Sequence, residues 1–194
     1  MPTEKRIERV TRVLSSRQPD LRVVLEGVTI AHNASAVIRT CDASGVLYLD
    51  IISPNPELVE FNEAITTRTE KWLEIKVHSS SRECLTRLKK EGLKIAAAHL
   101  GEASIRYTEL DYAQPLVLVF GSESEGISEE SLRLADYRIK IPMVGMVQSL
   151  NLSVSVGIIL YEAFKQRREK GFFDGRRLKD PEFERLRSKW LGEK

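Results

Sequence analysis

Two apolar segments of this sequence each end abruptly at a polar loop that contains glycine. Residues 116–120 run into the loop 121–126, and residues 139–142 run into the loop 143–151. A buried strand that stops at such a loop and is followed by a helix is where open α/β sheets place ligand sites. The sequence therefore predicts one pocket that both loops border.

Helical and extended patterns alternate along the chain, and the extended segments are apolar throughout rather than on one face. Such segments form strands buried on both sides, which is typical of a parallel sheet covered by helices. The sequence predicts a three-layer α/β fold. Strands are expected at 22–26, 46–52, 72–77, 93–98, 116–120 and 137–141, helices at 4–17, 34–44, 80–92, after 128, at 149–170 and after 180, and a loop at 53–62.

Several local signals mark where these elements begin and end. Pro19 is expected to end the first helix, and Gly45 the second. Ser80 and Glu83 have the spacing of a capping box, in which each side chain binds the other's free backbone N–H. Asp180 is expected to cap the last helix, with Pro181 at its first helical position.

The length of 194 residues and the hydrophobic content of 42% suit a single core with appendages. We predict a basic N-terminal helix at 1–20, a main domain at 21–165 and a basic C-terminal extension at 166–194. No run approaches the roughly 18 apolar residues that cross a bilayer, and the charged N-terminus is unlike an export signal. A cytoplasmic protein that does not contact membrane is expected.

Basic charge is concentrated at the two ends of the chain. Residues 1–22 carry six Lys and Arg against three Asp and Glu, and residues 165–194 carry eleven against six. Since the net charge is +2, the middle of the chain is acidic. Basic arms on an acidic body suit a polyanion, either RNA or DNA, whose phosphates the arms would hold. Solvated helix faces are the alternative explanation of the same charges.

The two cysteines and three histidines do not have the spacing of a metal site. Cys41 and Cys84 are expected to be reduced core residues, and no bound metal is expected. The sequence also lacks the G-x-S-x-G and H-E-x-x-H patterns of hydrolases.

The chemistry of the first loop argues against a phosphate ligand. Residues 121–126 lack the Walker ending and the dinucleotide-binding glycine pattern, and Glu123 and Glu125 would repel phosphate. A neutral or cationic ligand is favoured, and S-adenosylmethionine fits such a site. Ile141, Met143 and Leu150 would supply apolar walls.

Three ordered groups of residues resemble the three motifs of the SPOUT class of RNA 2′-O-ribose methyltransferases, and the resemblance covers nearly the whole chain. The groups are Asn33 with Arg39; Phe120, Gly121, Ser122 and Glu123 with Gly126; and 141–143 with 148–153. The segments 18–21 and 176–178 resemble the flanks of members that methylate a D-loop guanosine, guanosine-18, of tRNA.

The resemblance implies a sheet whose C-terminal part is threaded into a deep trefoil knot. It also implies S-adenosylmethionine bound within the knotted loops, a homodimer whose interface completes the active site, and a tRNA rather than DNA substrate. The cofactor would be held by Ala98, Leu100, Phe120, Gly121, Glu123, Gly126, Ile141, Met143, Ser149 and Leu150.

The resemblance assigns catalysis to Asn33, Arg39, Glu123, Ser149 and Asn151. Arg39 would grip the RNA phosphate beside the target ribose, with that phosphate or water taking the proton, because a guanidinium stays protonated. Each residue has a simpler explanation. Asn33, Ser149 and Asn151 could be helix caps, Arg39 could extend into solvent from the edge of the core, and Glu123 could hold the shape of its loop.

RNA contacts are expected from arginines at both ends of the chain and in the site. They are Arg9, Arg12, Arg39, Arg167, Arg168, Arg176 and Arg177. Phe172 could stack on RNA, or it and Trp190 could dock the tail onto a partner subunit. Two other functions fit the same features, which are methylation of ribosomal RNA or of another tRNA site, and RNA binding without catalysis.

Overall fold

A computed structural model of the chain describes residues 2–27, 31–55 and 69–193. It has seven strands and six α-helices in those ranges. The strands are β1 (Gln18–Glu26), β2 (Val46–Ile52), β3 (Glu74–His78), β4 (Lys94–Ala98), β5 (Ile105–Arg106), β6 (Leu116–Gly121) and β7 (Tyr137–Lys140). The helices are α1 (Glu4–Ser15), α2 (Ala31–Ser44), α3 (Ser81–Lys90), α4 (Glu129–Leu134), α5 (Leu152–Glu169) and α6 (Asp180–Leu191).

The strands form one sheet in the order β3-β2-β1-β6-β4-β7-β5, and every pairing is parallel. The central strand β1 pairs with β2 on one side and with β6 on the other. Because all strands run the same way, Ala98, Gly121 and Lys140, which end β4, β6 and β7, lie at one edge of the sheet. Both predicted loops leave from this edge.

Strand β6 shows why the apolar runs are continuous rather than alternating. Leu116, Leu118 and Phe120 contribute to the core between the sheet and the helices α2 and α5. Val117 and Val119 contribute to the core on the other face, under α3 and α4. Because helices cover both faces, neither face of the sheet is exposed to solvent. The predicted three-layer parallel architecture is therefore confirmed.

The two ends of the chain pack against each other in a third core. Val10 and Leu14 of α1 contact Leu186 and Trp190 of α6 in this cluster. The Arg6 guanidinium donates to the Trp190 carbonyl at 3.1 Å. Trp190 therefore docks the tail onto its own chain, which corrects the alternative that it docks onto a partner.

Several element ends agree with the sequence signals and others differ, since α2 begins three residues before its predicted start and β1 begins at Gln18 rather than at 22. Gly45, with φ of +87°, follows α2, and the Ser80 hydroxyl accepts from the Glu83 N–H, as predicted. Pro19, however, lies inside β1, where the register with β2 shifts between Gln18 and Arg22, because a strand tolerates proline at such an irregularity.

Two further differences concern the last two helices. Asp180 is the first residue of α6 and Lys179 is its cap, so the cap lies one residue earlier than predicted. Helix α5 begins at Leu152, three residues after the predicted start.

Strand β5 was not predicted, because two residues give no periodicity. Most of the predicted loop 53–62 lies outside the described residues. No helix among those described is long and apolar enough to cross a membrane.

Candidate active site

The two loops border one cavity at the carboxyl edge of β4, β6 and β7. Its volume is about 330 Å³, which is within the range of pockets that take small ligands. The single pocket predicted from the two loops is therefore present. All ten residues expected to hold a cofactor line it, namely Ala98, Leu100, Phe120, Gly121, Glu123, Gly126, Ile141, Met143, Ser149 and Leu150.

Glycines let the first loop close tightly on itself. A bridge joins Ser122 to Gly126, whose N–H donates to the Ser122 carbonyl at 2.9 Å. A Cβ on Gly121 would lie 2.0 Å from the Gly126 carbonyl, so no side chain fits there. Gly126 has φ of +69°, a conformation that glycine adopts without strain. The loop thus forms a compact hook beside the cavity.

Glu123 and Asn151 meet at the beginning of α5. Glu123 Oε1 accepts from the Asn151 side-chain amide at 2.8 Å and from the Leu152 N–H at 3.1 Å. The Asn151 side chain caps α5 by accepting from the Ser153 N–H at 2.9 Å. A carboxylate at a helix N-terminus is stabilised by the unpaired N–H groups and the helix dipole. Glu123 therefore ties the first loop to the second.

Asn33 joins this network from α2. Its side-chain oxygen accepts from the Asn151 amide at 3.3 Å, and the residue is 7% exposed. Because α2 begins at Ala31, Asn33 lies within the helix rather than at its cap, and the capping explanation is wrong. The structure thus brings three of the five predicted catalytic residues, Asn33, Glu123 and Asn151, into one chain of hydrogen bonds.

Arg39 and Ser149 lie outside that network. Ser149 is exposed on the cavity wall, ahead of α5, so it does not cap the helix. Arg39 is exposed on α2, which packs against α5. Within the described part of the chain, Arg39 has no ion pair and does not line the cavity. Six residues separate it from Asn33, roughly 9 Å along the helix, so its guanidinium is available to a ligand outside the cavity.

The cavity suits a cofactor with an apolar body and a positive centre. Its walls include Ile141, Met143 and Leu150, and Glu123 is a carboxylate at its border. Residue 121 must be glycine because the backbone of Gly126 fills the place of its Cβ, which keeps the first loop folded beside the cavity. A nucleoside bearing a sulfonium fits these residues, because the Glu123 carboxylate attracts a positive centre and repels a polyphosphate.

Glu26 is a buried carboxylate close to the cavity that the sequence analysis missed. It is 7% exposed at the end of β1, in register with Gly121. Its carboxylate accepts from the hydroxyls of Ser128 (2.7 Å), Ser131 (2.9 Å) and Ser81, and from the Ser128 N–H (3.2 Å). It therefore holds β1 to the N-terminal ends of α3 and α4. The sequence signal that could have identified Glu26 is an acidic residue at the end of the apolar run of the first strand.

Further cavity residues were missed because their signals are weak. His99 and Lys140 each neighbour a predicted residue at the end of a strand. Ser155 and Ile159 lie four residues apart on α5, and so share a helix face that the sequence alone could not assign to the cavity.

Apart from Arg39, the arginines expected to bind RNA fall into three groups, and the buried Arg167 is the third. Arg9 and Arg12 on α1 and Arg168 on α5 are exposed. Arg176 and Arg177 lie over the rings of Phe183 and Phe172 at 4.4 and 4.1 Å, and pair with Asp180 and Asp20. The second group is only partly available, because each cation already has a carboxylate partner.

Arg167 does not bind RNA, contrary to the prediction. Its side chain is completely buried and pairs with Asp20 at 2.7 Å. Its guanidinium also donates to the carbonyls of Tyr112 (2.9 Å) and Gln114 (2.8 Å). An arginine with its donors satisfied inside the protein is a structural cation.

Both cysteines are buried, as predicted, and one of them lies in a polar cluster. Ligand atoms of Asp50, His78 and Cys84 all lie within 4.8 Å of one another. The Arg87 guanidinium donates to Asp50 at 2.8 Å, which places a positive charge where a metal would need a free carboxylate. Burial raises the pKa of the Cys84 thiol to about 12, so the thiol is protonated at neutral pH in this structure.

Comparison with known proteins agrees with this geometry. The chain is 45% identical to a tRNA (guanosine(18)-2′-O)-methyltransferase of Thermus thermophilus, over 97% of each chain. It is 43% identical to the crystal structure of the Aquifex aeolicus TrmH/SpoU tRNA modifying enzyme, with a TM-score of 0.92 and coverage of 97% of this chain and 96% of that one.

A more distant structure supplies a cofactor complex. The AdoMet-bound rRNA methyltransferase of Sinorhizobium meliloti is 27% identical, with a TM-score of 0.62, and the match covers 82% of this chain and 60% of that one. The sequence model described as the SpoU rRNA Methylase family matches residues 20–161. With a matching fold, cavity and sequence, this chain belongs to the SpoU methylase family.

Proposed function

We propose that this protein methylates the 2′-hydroxyl of guanosine-18 in tRNA, with S-adenosylmethionine as the methyl donor. One observation carries the proposal. The relative that shares 45% of its residues over nearly its full length is a tRNA guanosine-18 methyltransferase, and the match includes both terminal extensions. The cavity, its apolar walls and its neighbouring carboxylate suit the donor, and a related structure is described as AdoMet bound.

When bound, the cofactor supplies a methyl group on a sulfonium, which is a good leaving group. The protein's task is then alignment of the ribose oxygen with that methyl carbon, because positioning contributes most to such a transfer. The Gly121–Gly126 hook and the loop 143–151 would hold the donor. Asn33, Glu123 and Asn151 fix these loops to α2 and α5 through their hydrogen bonds.

Arg39 is proposed to hold the RNA phosphate beside the target ribose. Its exposed guanidinium is free to make two parallel hydrogen bonds to phosphate oxygens. The hydroxyl proton would pass to that phosphate or to water, since a guanidinium does not act as a base at neutral pH. Ser149, exposed on the cavity wall, would contact the incoming ribose.

We propose a homodimer, supported by apolar side chains left exposed near the cavity. Val144, Met146 and Val147 in the second loop are 105%, 99% and 61% exposed, and Val154 and Tyr161 on α5 are also exposed. Apolar patches of this kind mark protein interfaces. A second copy covering them would complete the active site. Light scattering of the protein and of a Val144→Ser, Met146→Ser variant tests this.

We further propose that the C-terminal part of the fold is threaded as a deep trefoil knot, and that residues 21–165 form the methyltransferase domain between extensions at 1–20 and 166–194. The family match at 20–161 supports this division. When the unfolded chain is stretched from both ends, a knot would make its end-to-end length shorter than the full contour length. Because the proposed substrate is tRNA, we place the enzyme in the cytoplasm.

The decisive experiment is transfer of a labelled methyl group from S-adenosylmethionine to RNA. We expect label in an unmodified tRNA transcript and none in a transcript whose guanosine-18 carries a 2′-deoxyribose. Label that appears only in ribosomal RNA, or at another tRNA ribose, would overturn the substrate. Binding of tRNA without transfer would support the non-catalytic alternative instead.

A further inference from the structure

A second cavity lies far from the methyl-transfer site, between α1 and two tryptophans. Its volume is about 560 Å³, and its lining includes Lys5, Arg6 and Arg9 of α1 together with Trp72 and Trp190. Trp72 lies just before β3, at the amino ends of the strands, whereas the first cavity lies at their carboxyl ends. The nine residues of β1 span roughly 30 Å, so one nucleotide cannot occupy both cavities.

The charge on one wall of this second cavity suits a phosphate. Lys5 and Arg9 are one helical turn apart, both are exposed, and neither has an ion-pair partner among the described residues. The carboxylate of Asp42, which also lines the cavity, is paired with the buried Arg17. Two cations without partners therefore face the cavity, and its acidic residue is already neutralised.

Two tryptophans also line this cavity, and the partly buried Trp72 ring can contact a base. The rings of Trp72 and Trp190 are 5.2 Å apart in an edge-to-face arrangement, and Trp72 is only partly buried. Trp190 is 4% exposed, and its indole Nε1 has no hydrogen-bond acceptor within the described residues. Bases stack on tryptophan rings whatever their sequence. Stacking on an aromatic ring together with cationic contacts to phosphate is a common means of holding an unpaired nucleotide.

We propose that this second cavity binds one unpaired nucleotide of the tRNA, away from the ribose that is methylated. The inference rests on the proposed tRNA substrate. The base would lie against Trp72, and its phosphates would contact Lys5 and Arg9. The cavity would make binding depend on an unstacked nucleotide, so the enzyme would recognise the folded shape of tRNA at two separate places.

The two tryptophans of the chain both line this cavity, so their fluorescence reports on it directly. We expect a tRNA transcript to quench the emission of the full-length protein, after correction with N-acetyltryptophanamide. Lys5→Ser with Arg9→Ser should weaken tRNA binding roughly tenfold. It should also lower the slope of log K against log salt by about 1.4, corresponding to two lost phosphate contacts.

A matched control removes the same charges elsewhere. Lys90→Ser with Arg133→Ser also replaces one exposed lysine and one exposed arginine that lack ion-pair partners in the described structure, and should leave the quenching unchanged. Trp72→Leu should weaken tRNA binding roughly tenfold through lost stacking. If this variant unfolds, the charge variants still decide the matter, because their side chains are exposed.

The outcomes separate this inference from the proposed function. Methylation of tRNA without any change of emission, or equal tRNA affinity of the two double variants, would overturn the nucleotide site alone. Quenching by adenosine 5′-monophosphate at micromolar concentration, with none by tRNA, would assign the cavity to a free nucleotide and overturn the RNA assignment. Absence of methyl transfer with quenching intact would overturn the proposed function instead.

Discussion

Arg39 shows how a single exposed residue can matter for function and little for stability. It lies on a helix whose neighbouring Val37, Ile38 and Cys41 are fully buried, yet its own side chain is exposed. It has no salt bridge among the described residues. The guanidinium of an arginine placed this way is available to a substrate.

Replacing Arg39 with alanine should therefore separate catalysis from folding. We expect the free energy of unfolding to change by less than about 0.5 kcal/mol, and the Kd for S-adenosylmethionine to stay the same. Methyl transfer to tRNA should fall roughly 100-fold or more, because the target phosphate is no longer held. Arg39→Lys keeps the charge but lacks the two parallel donors, so its rate of methyl transfer should lie between those of the wild type and Arg39→Ala. Wild-type turnover by Arg39→Ala would remove Arg39 from the mechanism.

Glu26 is the opposite case, a buried residue that acts through its neighbours. Glu26→Ala would leave the hydroxyls of Ser81, Ser128 and Ser131 without their acceptor. We expect a loss of about 3 kcal/mol in the free energy of unfolding. Because Glu26 is in register with Gly121, the Kd for S-adenosylmethionine should rise about tenfold.

Calorimetric titration and urea unfolding test this role of Glu26. Glu26→Gln retains the shape of the side chain and one carbonyl acceptor. It should therefore lose less cofactor affinity and less free energy of unfolding than Glu26→Ala. A folded Glu26→Ala protein with unchanged cofactor affinity would show that Glu26 supports only the fold.

At the scale of elements, the hook after β6 depends on one close approach. Gly121 meets the backbone of Gly126 and Ile127, so a methyl group at residue 121 must push the two ends of the loop apart. Glu123 could then no longer reach the N-terminus of α5. The same contact therefore shapes the cavity wall and joins the two loops.

Gly121→Ala should abolish binding of S-adenosylmethionine within the range of a titration, because the hook opens. A Cβ at Gly175 would meet nothing within 4 Å, so Gly175→Ala is the matched control and should bind normally. Titration calorimetry, with circular dichroism to establish folding, makes the comparison. Equal affinity of both variants would mean that the hook does not form the cofactor site.

At the scale of the whole molecule, an ion pair joins the beginning of the sheet to the C-terminal half. Asp20 of β1 pairs with Arg167 of α5 and with Arg177 of the tail, each at 2.7 Å. Burial raises the pKa of Asp20, but the two guanidiniums outweigh this effect and hold the pKa below its ordinary value. The folded protein thus favours the ionised carboxylate.

Asp20→Asn should lower the free energy of unfolding by about 3 kcal/mol at pH 7, because it leaves Arg167 buried without a counter-charge. Since the folded pKa is depressed, the wild-type stabilisation is complete above the ordinary pKa of about 4 and is lost as the pH falls through the folded value. The difference in free energy of unfolding between the wild type and Asp20→Asn should therefore become smaller below pH 4.

Urea unfolding at several pH values measures this difference. Asp180→Asn, which removes a largely exposed carboxylate paired with Arg176, should cost about 0.5 kcal/mol or less at pH 7. A loss of similar size for both variants would contradict the structural importance of the Asp20 pair.

The sequence by itself determined the local elements, the parallel three-layer fold and the two loops that border the cavity. These follow from short-range physics: the apolar run of β6, the glycines beside Glu123 and the asparagine cap of α5 each act over a few residues. Only the tertiary structure decided which strands are neighbours, that Arg167 is buried and that Glu26 is surrounded by serines. It also brought Lys5 and Trp72 to the same cavity. Such contacts join residues far apart in the chain, and their energy depends on the packing of the whole molecule, which no local pattern records.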